Sequence, residues 1–264
     1  MRRLILVTGL LLLCGVAAIA QLRLSTGAVR DYKTNGCNGI DLPLTIPEAD
    51  NFRAWYSFGG FPIFTQWTNK NVWGSDFRDG AASDMDASGG SDMADIYFFT
   101  GHGTCQNPPN ANSPDFIVAC SPNGQPDSTN IGTSTRWGNN GGRLKFAFID
   151  ASCPMDLVSL TTQWWSVFQG LHLAMGHSGD VGHDNLDSSV KLPTIGFYLG
   201  FGNSYRAAWM AAGLIDVQSG VCAVITGTGR TEAEAVSRRD FETPLNRKAD
   251  ALPANWIAWR WVCK

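Results

Sequence analysis

The chain has 264 residues, of which 44% are hydrophobic and 16% charged, with a formal net charge of −3. That apolar mass suits one large globular domain or two small ones. The acidic balance, with no basic stripe to follow a phosphate backbone, excludes nucleic acid as the expected partner.

Residues 1–20 read as a signal peptide. Arg2 and Arg3 precede an apolar run from Leu4 to Ile19, and Ala18 and Ala20 supply the small residues before a cut at Gln21. The run is short for a membrane span, and no later segment is long and apolar enough for one. Export to a secreted, periplasmic or extracellular location is the expectation. Residues 21–264 then form a single domain, with no membrane contact once the leader is removed.

Residues 21–50 are polar and turn-rich, as in an arm packed on the domain. "RAWYSFGG" (53–60) predicts a strand ended by glycines. "WTNKNVWGSDFRDG" (67–80) predicts a short helix. "DIYFFTGHG" (95–103) predicts a strand covered on both faces. The Pro-, Asn- and Gly-rich stretch 106–143 predicts a long loop with a small hairpin at "DFIVAC". "LKFAFIDASCP" (144–154) predicts a second buried strand, and "MDLVSLTTQWWSVFQG" (155–170) a helix. A strand at "TIGFYLGF" (194–201) and a helix over 204–220 capped by Ser204 come next. Strands at "VCAVITG" and "NWIAWRWVC" finish the chain. Alternating strands and helices imply an α/β fold with a mostly parallel sheet flanked by helices.

In such sheets, function gathers beyond the carboxyl ends of the strands. His102 and Cys153 each lie just past a predicted strand. A thiol becomes a nucleophile when a neighbouring imidazole takes its proton. The backbone N–H groups of Gly103 and Cys153 are then candidates for an oxyanion pocket, and Gly103 would let the chain approach a substrate closely.

The blocks "DIYFFTGHG" and "LKFAFIDASC" resemble those of the caspase, legumain, gingipain and clostripain clan of cysteine peptidases. There, one hydrophobic block ends in His-Gly and a later one in a small residue plus Cys. The resemblance covers about 60 residues, and the spacing fits caspases. The chain is also similar to an uncharacterised exported bacterial family with a GHG element and a "W…N…W…DF" segment, here Trp67, Asn69, Trp73, Asp76 and Phe77. The resemblance implies a caspase/hemoglobinase-like three-layer sandwich. It implies His102 as base and acid, Cys153 as nucleophile, and a protein or peptide as substrate. No cofactor is required by that chemistry. Asp150 stands where an acid in the substrate pocket would favour Arg or Lys before the scissile bond. The sequence departs from the clan at Ser152 and Pro154, which flank the nucleophile.

The six cysteines left after cleavage suit three disulfides in an oxidising compartment. Cys105 and Cys120 bracket the long loop and predict one bridge. Cys222 and Cys263 flank predicted strands and predict another. Cys37 is left over, and Cys153 stays a thiol in the enzyme reading.

Three further patterns compete. "MGHSGD" (175–180) imitates a serine-hydrolase elbow, but no histidine follows at a useful distance. His172, His177 and His183, with Asp180 and Asp184, lack metzincin spacing. Asp84, Asp86, Ser88, Asp92 and Asp95 align with calcium-loop positions, so calcium is a candidate ligand. The leading reading is an exported cysteine endopeptidase. The alternative is a non-catalytic secreted binding or structural protein on the same scaffold, with Cys153 in a disulfide.

Overall fold

The computed structural model describes residues 22–37, 39–79, 90–105, 116–120, 126–138, 141–158, 160–181, 188–215, 217–250 and 252–264. The predicted signal peptide lies outside them. The central sheet is built from β1 (Leu24–Ala28), β2 (Ile63–Thr68), β3 (Ile96–Thr100), β7 (Phe146–Asp150), β8 (Leu173–Ser178), β9 (Cys222–Gly229) and β10 (Trp256–Cys263), in the order β10-β9-β8-β7-β3-β1-β2. The pairs from β2 across to β8 are parallel; β9 is antiparallel to both of its neighbours. A second, three-stranded sheet joins β4 (Gly103–Thr104), β5 (Phe116–Cys120) and β6 (Pro126–Asn130), so most of the segment predicted as a hairpin is a single strand, β5.

Alternation along the central strands feeds two apolar layers. Ile96, Phe98, Phe146, Phe148, Leu173 and Met175 face one layer. It is completed by α1 (Thr45–Phe58), α4 (Ser188–Gly200) and α5 (Tyr205–Ala212), with α6 (Glu232–Phe241) packed on β9 beside them. Tyr97, Phe99, Ala147, Ile149 and Ala174 face the other layer, with Trp137, Trp164 and Phe168. Short turns of helix, α2 (Ile131–Ser134) and α3 (Leu160–Gln163), cover that side. The result is a mostly parallel α/β sheet between helical layers. No helix among the described residues is long and apolar enough to cross a membrane.

Two predicted strands are helices. "RAWYSFGG" is the end of α1, and "TIGFYLGF" lies almost wholly in α4. Their buried residues follow helical spacing: Ala49, Phe52 and Tyr56 in α1, and Leu192, Ile195 and Leu199 in α4. Within a window of eight residues, aromatics on both faces of a helix mimic a continuous apolar strand. The predicted helix over 155–170 breaks into α3 and a 3-10 turn at Trp165–Val167. The predicted helix at 204–220 shortens to α5, with Ser204 accepting from the Ala207 N–H as its cap. The supposed arm holds β1, a central strand whose sequence, LSTGA, has little apolar content to announce it.

Charge stitches together the amino ends of the parallel strands. Asp95, just before β3, pairs with Arg23, Arg143 and Arg247. Asp92 accepts from the N–H groups of Gly138 and Leu144. Of the residues aligned with calcium-loop positions, Asp92 and Asp95 thus both bind protein donors. Asp84, Asp86 and Ser88 lie outside the described residues.

His172, at the start of β8, bridges Glu242 at 2.7 Å and Asp250 at 2.9 Å, and Lys145 also binds Asp250 at 2.9 Å. The hydrogen bond from His172, aided by Lys145, holds the Asp250 carboxyl well below the usual carboxylate range. A carboxyl depressed on folding stabilises above its unfolded pKa and loses that contribution as pH falls through the folded value. Asp250→Asn is therefore expected to lower Tm at about pH 7, with the gap to wild type closing as pH drops below about 4. Thermal melts across that range check it; a gap independent of pH would contradict the assignment.

Candidate functional site

The chain runs from β1 outward to β2 and then back to β3 on the other side of β1. The order reverses at the carboxyl ends of β1 and β3, the place where parallel sheets open a crevice. The loop after β3 carries His102, and the loop after β1 carries Tyr32, Gly39 and Ile40.

His102 is half-buried and held from three sides. Its N–H donates to the Tyr32 hydroxyl at 2.9 Å, and the two rings lie 4.4 Å apart. Its Nε2 lies 2.9 Å from the Ile40 carbonyl. A carbonyl only accepts, so this bond puts a ring proton on Nε2. Gly39 makes the approach feasible. Its φ is +116°, and a Cβ there would stand 3.1 Å from His102 Nε2. Burial pushes the Tyr32 phenol well above its ordinary pKa, so it stays neutral.

The tryptophan-rich segment supports this place from below. Asn69 Oδ1 accepts from the N–H groups of Arg30 and Asp31, and its Nδ2 donates to Asp31. The turn after β1 is thereby fixed. Asp76 binds the Trp73 N–H, and Phe77 packs edge-on to Tyr97 and Phe99. The segment serves as a brace for the loop that holds His102.

The loops after β3 and β7 touch. Thr100 pairs with Asp150 at the last position of the β3–β7 ladder. A Cβ on Gly103 would fall 1.9 Å from the Ser152 carbonyl oxygen. The glycine is thus required by the Ser152 backbone.

Cys153 is bonded to Cys105, with 5.0 Å between their Cα atoms. The predicted Cys105–Cys120 bridge is corrected accordingly. The β3 and β7 loops lie against each other in space, whereas sequence spacing sees only the nearer cysteine. Cys222–Cys263 forms as expected, and Cys37 is also disulfide-bonded. The Cys153 N–H donates to the Gly179 carbonyl at 3.0 Å, so it is not an unpaired oxyanion donor. Cys153 has φ +58°, a left-handed conformation uncommon for a residue with a side chain.

Asp150 does not reach a substrate pocket. It is fully buried, 2.7 Å from Lys191 Nζ of α4 and 3.5 Å from His177 Nδ1. The cation that Asp150 was expected to take from a substrate comes from within the fold. Alongside, the Thr100 hydroxyl donates to Glu48 of α1. A buried polar row, Thr100, Asp150 and His177, thus lies under α1 and α4 on one face of three neighbouring strands.

The rival patterns dissolve into packing. His177 binds the Gly213 carbonyl and lies against Trp209. Asp180 accepts from the Ser152 hydroxyl at 2.6 Å, and Ser178 accepts from the Leu157 N–H. His183 and Asp184 lie outside the described residues. Sequence reasoning missed Ile40, whose contribution is a backbone carbonyl and therefore independent of residue type. It also missed Lys191, whose signal was a lone charge inside the apolar stretch "VKLPTIGF".

Removing one partner of a buried ion pair strands the other charge, at a cost of about 3–5 kcal/mol. Lys191→Met is expected to lose about that much stability, and a matched Asp150→Leu/Lys191→Met variant to regain most of it. Denaturant unfolding of the three proteins measures both. An unchanged midpoint for Lys191→Met would show that Asp150 finds its counter-charge elsewhere.

Residues 27–262 match the model of a family described as a domain of unknown function, DUF6345. No curated protein matches the chain.

Proposed function

The chain belongs to the DUF6345 family, and for this member we propose a non-catalytic role in its oxidised form: an exported protein that uses an α/β scaffold, of the type its motifs share with the caspase clan, for binding or structure. The Cys105–Cys153 bond carries this reading. A cysteine nucleophile acts as a thiolate, and a disulfide sulfur has no thiolate to offer. Two bonds point the same way: the Cys153 N–H is taken by Gly179 and the Asp150 carboxylate by Lys191. Export is supported by the basic, apolar and small-residue order of residues 1–20 and by disulfides that persist in oxidising compartments.

A second reading, a cysteine endopeptidase released by reduction, is favoured by the bond from His102 Nε2 to the Ile40 carbonyl. That bond orients an imidazole as a general base would need. The left-handed turn at Cys153 adds to it, because backbone strain gathers at working residues. In this reading an external dithiol delivers two electrons, is itself oxidised to a disulfide, and leaves Cys105 and Cys153 as thiols.

A non-reducing peptide map, with iodoacetamide labelling and peptide-library cleavage before and after mild reduction, separates the two. The expected result is a linked Cys105–Cys153 peptide, no labelling of the untreated protein, and no cleavage in either state. Cleavage that appears on reduction and is lost in His102→Ala would replace the first reading with the second. A labelled Cys153 in untreated protein would remove the basis of the first.

A further inference from the structure

β10 is the outermost strand of the central sheet, and among the described residues no strand pairs with its outer side. It runs in unbroken register with β9 from Trp256 to Cys263. Cys263 is locked to Cys222 across that ladder. A long, exposed, apolar edge is a template for another strand, and soluble proteins usually blunt it with charge, proline or a bulge. This one carries Trp256, Trp259, Trp261 and Val262, all substantially exposed, and the single charge of Arg260.

The direction of its backbone groups is set by the ladder. The Lys264 N–H donates inward to Val221, and Cys263 stands opposite Cys222. In an antiparallel pair, successive residues turn their N–H and C=O groups alternately toward and away from the partner. Cys263, Trp261, Trp259 and Ile257 therefore present theirs outward. The Trp259 carbonyl agrees with this, since Arg239 Nη1 reaches it at 3.0 Å from α6. A carbonyl has two lone pairs, so that contact leaves one for a further donor.

We propose that β10 pairs antiparallel with β10 of a second copy about a two-fold axis at Trp259, joining two seven-stranded sheets into one. A second copy fits because a two-fold interface must be complementary to itself, and this strand is. With the axis at Trp259, its N–H and C=O bond to the same groups of the copy. Ile257 falls opposite Trp261, and Trp256 opposite Val262. Arg260 faces Ala258. Moving the axis one residue on places Arg260 against Arg260, and like charges directly opposite are unfavourable. In the first register the indole of Trp259, 38% exposed, meets its counterpart, and that of Trp261, 48% exposed, meets Ile257 of the copy. This surface is separate from His102 and Cys153 and does not depend on the functional reading.

Light scattering coupled to size exclusion, run as a concentration series on the disulfide-intact mature protein, tests the proposal. The expected mass is twice that of the monomer at high concentration. Trp259→Glu sets two carboxylates against each other at the axis and is expected to return the monomer mass. Arg260→Glu faces only Ala258 and is expected to leave the dimer intact. Amide exchange gives a readout that needs no variant: the Ile257, Trp259 and Trp261 N–H groups are expected to be protected in concentrated protein and to lose protection on dilution. A wild type monomeric throughout, a Trp259→Glu dimer, or outward amides unprotected in the dimer would each overturn it.

Discussion

Thr100 and Asp150 stand opposite each other at the end of the β3–β7 ladder, so the chain leaves both strands at the same height. That registry forces the arrangement of the site. The two loops start side by side, and Gly103 lies on the Ser152 backbone because nothing larger fits. Cys105 and Cys153 then come within bonding distance although 48 positions separate them. Were the pairing to slip by one residue, Asp150 would turn to the other face of the sheet and lose Lys191.

The two ends of the parallel strands use polar residues differently. At the amino ends, Asp92, Asp95 and the His172 cluster satisfy backbone N–H groups and arginines, which fixes strand positions. At the carboxyl ends, a polar row lies buried beneath α1 and α4, with His102 and the disulfide just beyond it. A buried pair such as Asp150–Lys191 offers little net stability over an apolar one, but either partner alone is costly. The pair therefore ties α4 to β7 in one arrangement. His102 is half-buried at this end, beside the exposed Ile40.

The Cys105–Cys153 bond separates the two readings of the site. With Cys153 oxidised, the Ile40 carbonyl and the Tyr32 hydroxyl both bind His102. The Trp67–Phe77 segment braces this place, because Asn69 fixes the turn that begins the loop carrying Tyr32 and Ile40, the two residues that bind His102.

The sequence alone determined strands within 95–103, 144–154, 221–227 and 255–263, because each is a run of apolar or β-branched residues; the first three are buried on both faces and the last is an exposed edge. It also determined the α/β class, the position of His102 and Cys153 past strand ends, and the Cys222–Cys263 bridge. Only tertiary structure decided the rest. α1 and α4 are helices because their apolar residues face one layer at helical spacing, a pattern hidden in short aromatic windows. β1 is a strand because its neighbours bury it. Cys105 chose Cys153 over Cys120, and Asp150 chose Lys191 over a substrate, because both choices depend on which strand ends lie side by side in the folded sheet. Linear spacing does not contain that information.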